Sequence, residues 1–397
     1  MSASVAMPQG RGVLWKASWR RLSRSQINEG EYIMNFLKHA WVALVASTVL
    51  FVGCGTSTPP PTPAPAPAPT SGYHLIKKVS FGAAPGVGAT REYFDYVVVD
   101  SAARRVYLMH GTECIVVDAD TGEKVGTVTG NWKRAHGVAV VPDLGRGFIS
   151  DGDAGLIYMF DLKTLKVTKT IKGQEDADWI MYDPASKLVF VFNGDSKSST
   201  VIDPAKGVVV KTIPLGGAPE QAVSDGQGMI YDTLASTNEI VAIDTKALAV
   251  KSRWPVAPAG EPTSIAMDRK TRRLFISGRG PAMLVMMDAD SGKIIGPGFN
   301  IGKRTDANIF DPSTDMVASA TRVGTLHFFH EDSPEKLSEV ETLKTEFGAK
   351  TMGLDSNTHN LYLTTSDFGP TPAPTEKDPD PQPTATPGTF RLLIYGK

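Results

Sequence analysis

The sequence predicts an all-β fold: a seven-bladed β-propeller of four-stranded antiparallel blades, with the last blade closed by the N-terminal strand. Two observations predict it. First, four short β segments separated by turn signals recur about every 42 residues from Tyr93 onward. The period is marked by the aspartates that end the third segment, Asp118, Asp161, Asp203, Asp244 and Asp288, with His330 in the sixth copy; the separations are 43, 42, 41, 44 and 42. A four-stranded repeat of roughly 40–45 residues is the unit of a propeller blade. Second, the two ends are incomplete in complementary ways. Tyr73 to Gly82 (YHLIKKVSFG) reads as a fourth segment without its preceding three, while the last copy runs TMGLD, NLYLTT and TFRLLIYG and stops at Lys397 without a fourth. An open ring would leave unpaired strand edges, which promote aggregation; pairing the two ends removes them.

The clearest single unit is Ala135–Gly173, AHGVAVVPDLGRGFISDGDAGLIYMFDLKTLKVTKTIKG, whose four segments are rich in β-branched and aromatic residues. By the same pattern the blades run Tyr93–Gly130, Ala135–Gly173, Asp176–Gly216, Ala218–Ala257, Gly260–Gly302, Thr305–Lys350 and Thr351–Lys397. Six first segments end in a turn aspartate: Asp100, Asp183, Asp225, Asp268, Asp311 and Asp355. Such aspartates bond their own backbone in hairpin turns. The last blade carries a Pro-rich insertion, Phe368 to Gly388, with no apolar periodicity, which reads as a mobile surface loop.

The N-terminal part has a different composition. Residues 1–33 hold five basic side chains and no periodic pattern, and read as an upstream mis-start or a basic leader. Residues 34–53 read as a signal peptide, with Lys38 as a short positive region and the 13-residue uncharged run Trp41–Gly53 behind it. That run is short for a membrane-spanning helix. It ends at Gly53-Cys54, which resembles a bacterial lipoprotein cleavage box and marks Cys54 for lipidation; Phe51 departs from the usual Leu. An ordinary cleaved signal and an uncleaved anchor are the alternatives. Residues 54–72 form a Pro/Ala/Thr linker, extended because proline fixes φ and lacks a donor. Residues 73–397 are the propeller.

Without residues 1–53 the chain keeps 35 basic against 40 acidic side chains, so it lacks the basic footprint of a nucleic-acid binder. With Cys54 lipidated, Cys114 stands alone and reads as a small buried apolar residue.

The repeats, among them VYLMHGTECIVVDADTGEKVGTV and LVFVFNG…STVIDPAKGVVVKTI, resemble the YVTN-repeat (YncE-like) β-propeller family over Tyr93–Lys397. The nearest forms of the naming tetrad are VFVFN at Val189–Asn193 and LYLTT at Leu361–Thr365. The resemblance implies a bacterial seven-bladed propeller on the envelope side of the membrane, and no shared catalytic set.

Several motifs are excluded. DADTG at Asp118–Gly122 and DADSG at Asp288–Gly292 lack the remaining ligands of a calcium loop and read as turns. GAAPGVGAT at Gly82–Thr90 has no Lys-Ser/Thr and is no P-loop. One constellation survives. The residues about five before each turn aspartate are Asp95, His136, Asp178, Glu220, Thr263, Asp306 and Lys350, with Glu261 beside Thr263. First strands line a propeller's central channel, so these positions should form a ring at one mouth. Unit charges 4 Å apart repel by about 4 kcal/mol at an effective dielectric near 20. The ring therefore needs a neutraliser: His136 and Lys350, a protonated acid, or a hard cation held by Asp95, Asp178 and Asp306, with Ca²⁺ as the candidate. No other cofactor is expected.

The leading expectation is a secreted, lipid-anchored, monomeric propeller that binds an envelope protein or small ligand at the ring. It would touch the membrane through its lipid alone. The alternative is a metal-assisted, lactonase-like hydrolase with His136 or Glu220 as general base. A redox partner of a quinone or haem protein is weaker, because no haem-attachment motif is present.

Overall fold

Seven four-stranded antiparallel sheets form the propeller, and the computed structural model describes residues 70–84 and 92–397 of it. The expected leader and signal peptide, Cys54, nearly all of the expected linker and most of the glycine-rich stretch Gly82–Thr90 lie outside the described residues. No helix among the described residues is long and apolar enough to cross a membrane.

Six blades are built from consecutive strands. The seventh is not: its order places the N-terminal strand His74–Gly82 beside the C-terminal strand Phe390–Gly396. The two pair antiparallel from His74 opposite Gly396 to Gly82 opposite Phe390. The closure expected from the two incomplete ends is therefore present. Tyr73 anchors it: its ring is buried and stacks on Phe328 of blade six at 4.9 Å, and its hydroxyl donates to the His359 carbonyl at 2.7 Å.

Strand position explains the sequence pattern. In blade one the two middle strands, Arg105–His110 and Glu113–Asp118, are covered on both faces, so they read as continuous apolar runs. Its outermost strand, Lys124–Thr129, is largely exposed and correspondingly polar. Packing is distributed as wedges between neighbouring sheets. One cluster joins Phe190 and Phe192 of blade three to Leu234 and Val241 of blade four; another joins Val106 and Ile115 of blade one to Tyr362 and Leu392 of blade seven. Each fully buried side chain of this size contributes about 1.5–3 kcal/mol.

The turn aspartates do what their position predicts, and more. Asp100, Asp183, Asp268 and Asp355 accept amide hydrogens from their own turns. Several also reach the next blade: Asp355 pairs with Arg104 at 2.7 Å, Asp225 with Arg272 at 3.3 Å, and Asp183 accepts from the Ser224 hydroxyl at 2.6 Å. The third-segment aspartates Asp118, Asp161, Asp203, Asp244 and Asp288 likewise cap their own turns, so the two DAD stretches are turns and not calcium loops.

The insertion Phe368–Gly388 is held at both ends rather than free along its length. Phe368 packs against Phe94 and Phe347 and bridges to Ala385, Arg304 pairs with Asp380 at 2.8 Å, and Gly388 donates to Glu92 at 2.8 Å. Residues 369–380 are exposed throughout, whereas Pro381 and Pro383 are buried. Cys114 is buried and free, as its strand position implied.

Truncating Tyr73 to Ala should remove the stacking and the hydroxyl contact together and cost about 3 kcal/mol, read as a lower urea midpoint. An unchanged midpoint would show that the N-terminal strand does not hold the ring shut.

A charged ring at one mouth of the channel

The innermost strands are Phe94–Asp100, Ala135–Val141, Ala177–Asp183, Pro219–Ser224, Pro262–Asp268, Thr305–Asp311 and Met352–Leu354. In the first six the ring residue is the second of the strand, and in each the register slips at that point. The slips fall between Phe94 and Val97, Ala135 and Val138, Ala177 and Ile180, Pro219 and Ala222, Pro262 and Ser264, and Thr305 and Ala307. A bulge frees the residue from the ladder and re-aims its side chain. Repeated around the wheel, it turns Asp95, His136, Asp178, Glu220 and Asp306 toward the channel mouth.

There the charges sort into two groups. In the first, His136 Nδ1 lies 2.8 Å from Asp95 Oδ2 and 2.9 Å from Asp178 Oδ1. The Tyr93 hydroxyl lies 2.6 Å from Asp95 Oδ2 and 2.9 Å from His136 Nδ1. In the second, Asp306 is gripped by Arg279 and by Lys350, whose Nζ is also 3.8 Å from Asp95 Oδ1. Three carboxylates thus face three cations. His136 and Lys350 are the expected neutralisers.

Arg279, Tyr93 and Tyr96 belong to the site although sequence reasoning did not select them. Arg279 ends the second strand of blade five, Arg273–Arg279, and supplies the charge that Thr263 lacks. The signal was its place beside a gap in the ring, readable only once the blades are aligned in space. Two expected members are corrected. Thr263 is buried, but its hydroxyl donates to the Thr305 carbonyl at 2.7 Å, a bond between blades five and six. Glu261 sits exposed at φ 48° before the strand and has no ion pair to the ring.

Glu220 is the odd acid: it makes no ion pair among the described residues. Burial, reinforced by Asp178 and Asp306 and opposed by Arg279 and Lys350, raises its pKa to about 8. Behind it Asp232 is fully buried, standing where five other blades place Leu108, Ile149, Val191, Ile276 and Leu363 and blade six places Ser319. Burial, with Glu220 adding, pushes the Asp232 pKa up, and with Glu220 largely protonated at neutral pH the ring is charge-balanced. Burial works against charge on Asp95 and His136 as well. There the opposite charges win: Lys350 and His136 bring Asp95 down to about 2, and Asp178 and Asp95 raise His136 to about 10.

The expected cation ligands are also corrected. Asp306 belongs to Arg279 and Lys350. Among the described residues, the cluster whose ligand atoms lie within 4.8 Å of one another is Asp95, His136 and Asp178. A ring nitrogen with two carboxylates suits a transition ion such as Zn²⁺ better than Ca²⁺, which takes oxygen ligands. The raised His136 pKa means that a metal must displace a firmly held proton.

The sign of the pH dependence follows. With its folded pKa above the unfolded value of about 6.5, His136 contributes stability that is complete below that pH and lost as pH rises through about 10. The raised Glu220 pKa acts in the same direction between about 4.5 and 8. Urea midpoints should therefore fall from pH 6 to pH 10 in the wild type, and His136→Gln should flatten most of that fall. Parallel profiles for the two proteins would refute the charged-imidazole reading.

Comparison with known proteins adds fold and family. No curated protein matches the sequence. Among solved structures, a chain of Kuenenia stuttgartiensis hydrazine synthase superposes with a TM-score of 0.61 at 13% identity, over 68% of this chain and 91% of that one. The WD40 repeats of RRP9 superpose with a TM-score of 0.64 at 10% identity, over 83% and 99%. U3-55K gives 0.63 at 10% identity, over 82% and 99%. At such identities the likeness concerns the fold alone. The family model described as "Domain of unknown function (DUF5074)" matches residues 96–296, half of the chain, and the chain belongs to that family.

Proposed function

We propose that this propeller is a non-enzymatic binding module of the bacterial cell envelope, YVTN-repeat-like in its repeats and held to the membrane by lipid on Cys54. It acts as a monomer, and its ligand is a positively charged group, on a small molecule or an envelope protein, received at the charged mouth. The carrying observation is the balance of that mouth. Three acids are already matched by three bases, and the one ring acid left over, Glu220, is partly open to the channel, where an arriving cation would favour its ionised form.

The surroundings support the same sign of ligand. A pocket of about 570 Å³ adjoins the ring and is lined by Asp153, Glu175, Asp176 and Asp195 against Lys133 and Arg134. Its wall meets the ring at Gly152, where a Cβ would fall 2.6 Å from His136 Nε2 and 3.1 Å from Asp176 Oδ1. Arg134 is held by Asp153 and Asp176 at 3.0 and 3.1 Å, which leaves Glu175 and Asp195 without a basic partner among the described residues. An acidic concavity raises the local concentration of cationic ligands and steers them inward. The address is supported by the apolar run Trp41–Gly53 ahead of Cys54 and by the extended linker, which would hold the wheel off the bilayer.

A second reading is favoured by one observation, the convergence of Asp95, His136 and Asp178. These three would hold a divalent ion, which would supply Lewis acidity toward an ester or lactone. Glu220, with a pKa of about 8, would serve as general base.

Two measurements test these readings. Cys54→Ala should move the protein from the membrane fraction to the soluble one and abolish palmitate labelling; retention in the membrane would overturn the anchor. In a thermal-shift titration, spermidine should raise Tm in the wild type and much less in Glu220→Gln/Asp176→Asn. If instead Zn²⁺ raises Tm, Asp178→Ala abolishes that rise and lactones are turned over, the enzymatic reading replaces the binding one.

A further inference from the structure

The channel has a second compartment that the charged ring does not explain. In blades one to four the residue after the ring position also falls in the bulge, and in blades one, two and three it is Tyr96, Gly137 and Trp179. Gly137 adds no side chain, and Tyr96 and Trp179 meet edge to face with ring centroids 4.7 Å apart. Trp179 is fixed there by its indole N–H, which donates to the Ala222 carbonyl at 3.1 Å. Tyr96 lies within the field of the ring carboxylates: burial raises its pKa well above the usual value, and Asp178, Asp95, Glu220 and Asp306 add to that. The pair therefore stands between the ring and whatever lies beyond Trp179.

Beyond Trp179 is a pocket of about 480 Å³, within the usual volume of small-molecule sites. Its walls come from the later residues of the innermost strands, including Val223, Met267, Ile309, Phe310 and Leu354. Apart from Met267 these side chains are only half-buried, so their apolar surface is available to a guest.

The polar groups of this pocket are matched unevenly. Its acceptors are committed. Both Asp268 oxygens take hydrogen bonds from its own turn, at Lys270 N and at Thr271 N and Oγ1. Asn308 Oδ1 accepts from the Ser277 hydroxyl, and Gln221 Oε1 from the Ile265 amide. Its donors are left over. Gln221 is buried, yet its carboxamide nitrogen has no partner among the described residues. Arg269 uses only Nε, toward the Ser224 carbonyl, and neither Arg269 nor Lys270 has an ion pair among the described residues. Both are exposed at the rim.

We infer that this second compartment is a binding site for a small amphipathic anion: an aromatic or aliphatic carboxylate or sulfonate. Its apolar body lies on Trp179, Ile309 and Leu354, and its acidic group lies at Lys270, Arg269 and the Gln221 amide. The apolar walls provide area to bury, and a guest that brings acceptors and negative charge completes the unused donors. The site takes a ligand opposite in sign to the one assigned to the ring, and it stands or falls independently of that assignment.

The test uses 8-anilino-1-naphthalenesulfonate, whose fluorescence reports apolar burial, with N-phenyl-1-naphthylamine as the uncharged control and decanoate as competitor. The folded protein should bind one sulfonate probe, bind the uncharged control more weakly, and release the probe to decanoate. Lys270→Glu, at an exposed position, should weaken sulfonate binding about tenfold through charge reversal with Tm unchanged. Leu354→Trp should fill the pocket and abolish binding. Asp178→Ala in the charged ring should leave probe binding intact. Sulfonate binding that ignores Lys270→Glu, or an equal loss of the uncharged control in that variant, would overturn the proposal even if Leu354→Trp fails to fold.

Discussion

The antiparallel pairing of His74–Gly82 with Phe390–Gly396 is the constraint on which the rest of the molecule rests. A wheel of sheets has no single core. Each blade buries its faces only against its neighbours, so the wedges on either side of blade seven exist only while that blade is complete. The segment that completes it is the most distant in sequence from the strand it joins. Closing so long a loop has an entropic cost, but that cost grows only slowly with loop length. The return is two buried interfaces and a ring without open edges. Contacts at the seam are accordingly dense. Tyr73 lies on Phe328, the Tyr362 hydroxyl donates to the Ala119 carbonyl at 2.6 Å, and Arg104 reaches Asp355.

Closure also creates the channel, and the channel makes its own electrostatic demand. Bulges at the second residue of six innermost strands turn acids and bases into a small space that water cannot fully solvate. Buried charges persist only when matched. The molecule meets that demand with His136 between two aspartates, with Arg279 and Lys350 on Asp306, and with a proton on Glu220. The same contacts join blades one to two, two to three, five to six and six to seven. The ring therefore holds blades in register, and the ligand site proposed for the channel mouth uses the same atoms. Asp232 is the least expected part of this arrangement, an acid in a position that five other blades fill with aliphatic residues and blade six with Ser319.

Below the ring the channel changes character. The Tyr96–Trp179 contact separates a polar compartment from an apolar one that is rich in unused donors. One symmetric scaffold thereby presents two chemically opposite mouths. Departures from the repeat produce the difference: Gly137 admits the aromatic pair, Thr263 yields its place to Arg279, and Lys270 and Arg269 break an otherwise self-satisfied rim of turn aspartates.

The fold was legible because a propeller is written in a period. Residue spacing near 42, the turn aspartates and the two half-finished ends determine blade number, blade boundaries and the closing strand, since each blade is a local unit whose strands follow one another. The ring positions were legible for the same reason: aligned copies place equivalent residues at equivalent heights. What the ring residues touch was not. Arg279 enters from a second strand, Tyr93 from before the first, and Glu261 turns outward at a positive φ, and none of this alters the period. Which acid meets which base depends on bulges that the hydrophobic pattern does not encode, and on distances across a channel that exists only after closure. The identity of the strands was therefore a local matter, settled by side-chain pattern; the chemistry of the hub was decided by tertiary structure, because it arises between residues that the chain keeps a blade or more apart.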